Sequence, residues 1–171
     1  VFYRASRMKE EEAMNAAAAV VVLSRTSAEA LKQRNVDRPI VVAPNAIETG
    51  WQGKKIPKEE ARSRLGLPSR RYVGAVSSIV GYEGFDDLII ALHQLPDDVT
   101  LLLVGDGTAL STLQHLAKLQ NLEGRIVFAG NQPQEVVPMW YSALDVFVVP
   151  RKDLPVTRTV TPMKTLQAQA F

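Results

Sequence analysis

The chain has no cysteine among its 171 residues. That excludes disulfides and thiolate metal sites, and it fits a reducing compartment. Long apolar runs are missing as well: the longest, Ala16–Leu23, is far too short to cross a bilayer as a helix. The opening residues carry no signal-peptide pattern. Histidine is scarce. His93 and His115 both fall on predicted helices with no carboxylate or histidine at ligand spacing, so no metal site is read. Neither sign of charge is in large excess, the formal net value being +2. The basic residues that do cluster are Arg4, Arg7 and Lys9, then Lys54, Lys55, Lys58, Arg62 and Arg64, then Arg70 and Arg71. They are not interleaved with aromatics. They read as solvated faces, and no nucleic-acid partner is expected. Gly-x-Ser-x-Gly, Walker-type and Gly-x-Gly-x-x-Gly patterns are all absent. This argues against a serine hydrolase, a nucleoside triphosphatase and a dinucleotide-dependent dehydrogenase.

What is present is an alternation. Apolar, β-rich runs at Tyr72–Val76, Val99–Val104, Arg125–Ala129 and Val146–Val149 are separated by helical patterns at Phe85–Leu95, Ala109–Gln120 and Gln134–Leu144. Such alternation indicates βαβ units: an α/β, Rossmann-like parallel sheet with helices on both faces. Ligands of these sheets bind at the carboxyl ends of the strands. Two strands end in turns that open the backbone to close approach, Gly105-Asp106-Gly107 and Gly130-Asn131-Gln132-Pro133.

The segment before this alternation reads differently. A polar, alanine-rich helix over Arg4–Ala18 precedes a short strand at Val20–Leu23. Thr26-Ser27-Ala28-Glu29 has the form of a capping box opening a helix through Gln33. A second short strand, Ile40–Ala43, ends at Pro44-Asn45. Thr49–Ile56 has no periodicity and is the best linker candidate. Pro57 suits a first helical position, and Lys58–Leu65 forms a helix capped by Gly66. Thr161-Pro162 starts a last helix over Met163–Phe171. A four-stranded sheet followed by a helix ending on Phe171 looks unfinished, so further chain is expected. An unfinished sheet also has an open edge, able to exchange strands between copies.

Taken in order, several segments resemble the superfamily of retaining nucleotide-sugar glycosyltransferases, the group 1 enzymes with two facing Rossmann-like domains (the GT-B fold). They are Val20-Val21-Val22-Leu23-Ser24, Val41-Val42-Ala43-Pro44-Asn45-Ala46-Ile47, Arg64-Leu65-Gly66-Leu67-Pro68 and Leu101-Leu102-Leu103-Val104-Gly105-Asp106-Gly107. Arg125–Gly130, Tyr141–Pro150 and Thr161–Ala170 follow. The resemblance implies that residues 1–48 are the remnant of an N-terminal, acceptor-side domain, 49–57 a linker, and 58–171 an incomplete donor-binding domain. It implies hexose transfer from a nucleoside diphosphate sugar to the hydroxyl of an acceptor glycan or lipid-linked sugar, without a cofactor. The setting would be cytoplasmic, with peripheral association at the inner membrane face allowed.

The resemblance also implies a donor site. Thr161-Pro162 would supply a helix N-terminus for the diphosphate, and Lys164 a point charge. Ser77 and Ser78, at the end of the first donor-domain strand, would face the ligand. Gly105 and Gly107 would admit it to the backbone, and Asn131 and Gln132 would read a nucleobase edge. Four positions depart from the family pattern. Gln167 and Thr159 stand where a pair of glutamates usually lies, Ser78 near a usual arginine, and Glu83 at a usual lysine. These departures keep a second reading open: a catalytically degenerate binding or regulatory module. A nucleotide-sugar epimerase of the same fold is a third.

Overall fold

The computed structural model describes residues 2–171, without the side chains of residues 2–4 and 52; Arg4 of the first basic cluster therefore lies outside the described side chains. Two compact units are present, one of residues 1–46 with 153–161 and the other of residues 47–152 with 162–171.

In the first unit, helix α1 (Phe2–Ala16) leads to β1 (Val20–Val22), which pairs in parallel with β2 (Ile40–Val42), Val20 opposite Ile40. Between them runs α2 (Arg25–Lys32). Its cap is Ser24, not the expected Thr26: the Ser24 hydroxyl accepts from Ser27 N at 3.1 Å. Ser24 wins because it leaves β1 still extended (φ −150°, ψ 158°), the conformation an N-cap needs, while Thr26 already lies inside the helix. A short helix that the sequence does not announce, α7 (Pro155–Thr159), closes this unit. The Thr159 carbonyl accepts from the hydroxyls of Ser24 and Ser27, at 3.2 and 2.9 Å.

The second unit carries a four-stranded parallel sheet in the order β5-β4-β3-β6. Its strands are β3 (Arg71–Val76), β4 (Val99–Val104), β5 (Ile126–Gly130) and the two-residue β6 (Val146–Phe147). Every residue of β4 is buried. Leu101 and Leu103 pack on one face with Phe85, Ile89 and Leu113, and Leu102 and Val104 pack on the other with Tyr72, Trp140 and Leu144. The two-residue period of a strand thus builds two cores from one apolar run. Helices α4 (Phe85–Ala91) and α5 (Leu110–Leu119) cover the first face, and α6 (Val137–Ala143) the second. Each helix is shorter than its sequence pattern. Leu92–Gln94 continues α4 as a 3-10 turn, and Gln134-Glu135 stays outside α6.

Helix α3 (Lys58–Arg64) is held by charge, with Pro57 at its N-cap instead of the expected first helical position. Arg62 is buried. It donates through Nε to the Ala143 carbonyl (3.0 Å) and through Nη2 to Asp145 (2.6 Å), while its guanidinium lies over the Tyr72 ring. Asp145 also accepts from Lys58 Nζ and from the Tyr72 amide, both at 2.6 Å. Thr49–Lys54, read as a linker, forms 3-10 turns, and Trp51 packs edge-on against Tyr141 and Phe171. The helix α8 (Met163–Ala168) has only six residues.

Candidate functional site

The parallel register sets the site. Val76 lies opposite Val104, and Val104 opposite Gly130, so β3, β4 and β5 end at one level. The residues that follow these ends, Ser77 and Ser78, Gly105 and Asp106, and Asn131 and Gln132, line one cleft of about 290 Å³ together with Lys164, Gln167 and Tyr141. A larger cleft of about 430 Å³, lined by Lys58, Asp145 and Phe171, opens beside residues that precede β6. Its lining includes one strand end, Phe147 of β6, against three at the first cleft, and ligands of open α/β sheets favour strand ends.

The glycines at the end of β4 admit a backbone, but it is the chain's own. A Cβ on Gly105 would stand 1.9 Å from the Ser77 carbonyl oxygen, at a φ of +134° closed to most side chains. A Cβ on Gly107 would stand 2.3 Å from the Ile79 carbonyl oxygen. Ser77 N donates to Val104 O (2.8 Å), and Ile79 N to Asp106 O (2.9 Å). The two loops are therefore zipped together. Gly105 remains at the cleft, whereas Gly107 serves the zipper and is not part of the lining. Gln132 is likewise committed within the domain: its amide donates to Ala129 O (2.6 Å) and accepts from Trp140 Nε1 (3.2 Å). Gln132 thus braces the loop while lining the cleft, and its neighbour Asn131 is exposed.

Glu83 differs most from expectation. The sequence raises the prospect of a carboxylate repelling phosphate. Instead, Glu83 is buried at 2% exposure, in a turn that ends at Gly84. Its Oε1 lies 2.6 Å from Lys164 Nζ and 3.2 Å from Arg151 Nη2. Burial pushes the Glu83 carboxyl up, but the hydrogen bonds from Lys164 and Arg151 outweigh it and hold the group below the ordinary glutamate value. Lys164 also donates to Ser77 Oγ, whose proton goes to the Ser78 carbonyl (2.9 Å). The loop is clamped further by Lys152. Its amide donates to Tyr82 O (2.9 Å), and its Nζ pairs with Asp86 and Asp87 (2.8 and 2.6 Å).

Gln167 faces the same cleft, and its Oε1 accepts from the Tyr141 hydroxyl at 3.2 Å. Burial pushes the Tyr141 phenol well above the ordinary tyrosine value, so it stays a neutral donor. Tyr141 is fixed by rings, stacked on Phe171 (5.4 Å between centroids) and tilted against Phe147 (5.6 Å). Thr159 and Thr161 belong to the other unit, and the Thr159 hydroxyl donates within α7 to Pro155 O (3.1 Å). Pro162 caps α8, whose six residues give only a weak dipole, so the cation of Lys164 outweighs the helix end. Arg151 and Tyr141 are site neighbours that the sequence reading missed. An arginine directly after the Val146–Pro150 run was the available signal. Among the described residues no group of three or more histidines, cysteines or acids could hold a metal ion, and no helix is long and apolar enough to cross a membrane.

Comparison with known proteins is consistent over most of the chain. Residues 70–171 match the family model described as glycosyl transferases group 1. The chain is 34% identical over 143 residues to a putative teichuronic acid biosynthesis glycosyltransferase of Bacillus subtilis, covering 82% of this chain and 34% of that protein. It is 30% identical over 150 residues to the 2-deoxystreptamine glucosyltransferase of Streptomyces kanamyceticus, covering 82% and 38%. Among solved structures it resembles sucrose-phosphate synthase of Thermosynechococcus elongatus (TM-score 0.73, 25% identity, 86% of this chain and 38% of that one). It also resembles Anabaena HepE in complex with UDP and glucose (TM-score 0.70, 25% identity, 82% and 40%). The chain thus spans between a third and two fifths of the length of these proteins.

Proposed function

The chain belongs to the group 1 glycosyl transferases, and on that premise we propose that it carries the donor-nucleotide site of a retaining enzyme that moves a hexose from a nucleoside diphosphate sugar to an acceptor hydroxyl. One observation carries the reading: Ser77, Ser78, Gly105, Asn131, Lys164 and Gln167, brought from three strand ends and the last helix, line a single cleft. In the proposed reaction the bond from the anomeric carbon to the diphosphate breaks, a new bond to the acceptor oxygen forms, and the hydroxyl proton passes to the departing diphosphate. Negative charge grows on the departing diphosphate. Lys164 and Arg151 offset it, and cations fixed in advance stabilise such charge best. Polysaccharide or glycolipid assembly is the proposed setting, supported by the printed roles of relatives such as the Bacillus subtilis protein in teichuronic acid biosynthesis. Peripheral membrane contact and an acceptor glycan or lipid-linked sugar belong to the same proposal, as does the division into an acceptor-side remnant (residues 1–48), a linker (49–57) and a donor domain (58–171).

The competing reading, a degenerate binding module, has one observation in its favour: the Gln167 oxygen that would accept from a ribose is already taken by Tyr141. Calorimetric titration with UDP, GDP, ADP and dTDP, first in EDTA and then with magnesium, separates the two. The proposal expects saturable binding of one nucleotide in EDTA. A folded chain that binds none of them supports the degenerate module.

A further inference from the structure

Resting on the donor-site reading, we propose that Glu83 is a positioning residue: its buried carboxylate fixes Lys164 and Arg151 in place as a paired cation for the diphosphate. The geometry has three parts. First, the carboxylate is the most enclosed of the three groups and is not part of the cleft lining; its side chain is 3% exposed, against 21% for Lys164 and 15% for Arg151. Second, both cations converge on it. Oε1 receives Lys164 Nζ at 2.6 Å and Arg151 Nη2 at 3.2 Å, and Oε2 receives Arg151 Nε at 3.4 Å. Third, Lys164 has a second tether, the Ser77 hydroxyl. An ammonium has three donors. Two are spent on Glu83 and Ser77, and Lys164 itself lines the cleft.

The charges explain why an acid belongs there. Two cations brought this close repel each other, and the lysine stem is flexible. One carboxylate between them removes the repulsion and leaves the cluster with one net positive charge. A buried acid with two partners has little freedom to turn outward, because breaking a buried pair strands a charge. The position of Glu83 is set independently of its partners. Glu83 sits in a single 3-10 turn closed by Gly84 at φ +75°, where a Cβ would stand 2.1 Å from the Pro150 carbonyl. The same turn is tied by its Tyr82 carbonyl to Lys152 N, next to Arg151. The backbone thus delivers the acid to Arg151, and α8 delivers Lys164.

This assignment makes a prediction of sign. Simple electrostatics says that removing an acid near a phosphate site strengthens phosphate binding. Positioning says the reverse. Each nucleoside diphosphate that binds the full chain is compared with its monophosphate, by calorimetry, in wild type, Glu83→Gln and Lys164→Met. Glu83→Gln is expected to weaken diphosphate binding by about tenfold, the worth of one charge-assisted hydrogen bond. It should leave the monophosphate nearly unchanged, and Lys164→Met should do the same. Diphosphate binding by folded Glu83→Gln equal to or tighter than wild type overturns the proposal while leaving the donor-site reading intact. A wild-type chain that binds no nucleotide overturns both. A second measurement does not depend on Glu83→Gln folding: proton–nitrogen spectra of lysine ammonium groups in the nucleotide-free wild type. A slowly exchanging ammonium signal that disappears in Lys164→Met is expected. Its absence from the wild-type spectrum overturns the proposal.

Discussion

Gln167 is where the residue scale decides most. Its oxygen accepts from a neutral tyrosine whose ring is locked by Phe171 and Phe147. Gln167→Glu would place a carboxylate at the same spot, with the Tyr141 hydroxyl as a ready donor and one further oxygen for a ribose. Nucleoside diphosphate affinity is expected to rise about threefold to tenfold, since charge-assisted hydrogen bonds exceed neutral ones. Calorimetry on the variant checks this, and an unchanged affinity favours the degenerate module. Residue identity at positions 167 and 164 was legible in the sequence, because the Thr-Pro-x-Lys start is local. The role of Glu83 was not. Its partner Lys164 lies 81 positions away, and nothing in a local pattern tells a buried, paired glutamate from a repelling one. The partner of Gln132 was illegible for the same reason. Gln132 lines the cleft, and its oxygen also accepts from Trp140 Nε1, eight positions on.

At the scale of elements, the zipper between the loops after β3 and β4 places the cleft. Gly105→Ala would put a methyl group into the Ser77 carbonyl at a backbone angle unsuited to alanine. A stability loss of at least about 2 kcal/mol is expected from strain and displacement together. Nucleotide binding should fall along with it, because Ser77 and Ser78 move. Chemical denaturation and calorimetry on the variant read the two effects. Helix α3 depends on Asp145. Asp145→Asn leaves the buried Arg62 with only the exposed Glu59 as an anion (3.1 Å) and is expected to cost about 3 kcal/mol, measured by urea unfolding. Burial pushes the Asp145 carboxyl up, but hydrogen bonds from Lys58 and the Tyr72 amide, with the charge of Arg62, hold it below the ordinary aspartate value. Its contribution to stability is therefore complete above the unfolded aspartate value of about 3.9, and it is lost as pH falls through the lower folded value. The wild type should lose stability over that acidic range more steeply than Asp145→Asn does.

Elements with strong patterns were the legible ones. All six residues of β4 are apolar or β-branched, and its bounds, Val99–Val104, agree with the sequence reading. The ends of the helices were less legible. Phe85–Leu95 reads as one helix, yet Leu92–Gln94 tightens into 3-10 geometry before Pro96, whose ring disfavours helix in the residue before it. α7 escaped notice because Val156, Thr157 and Thr159 are β-branched and give a weak helical signal. Trp51 explains the ordered Thr49–Lys54 segment. A single aromatic residue packing on Tyr141 and Phe171 gives regular turns to a stretch without periodicity.

For the whole molecule, the central claim is that strand ends and the last helix of one unit make a diphosphate site. The match of residues 70–171 to the group 1 glycosyl transferase family supports that proposal. The cleft lined by Lys58, Asp145 and Phe171 is the rival location on the same unit. The most direct measurement is an amide proton–nitrogen NMR titration of the chain with the nucleoside diphosphate that binds. Shifts concentrated at Ser78, Gly105, Asn131 and Lys164 are expected. Shifts concentrated at Lys58, Asp145 and Phe171, with those four amides unmoved, would contradict the central claim.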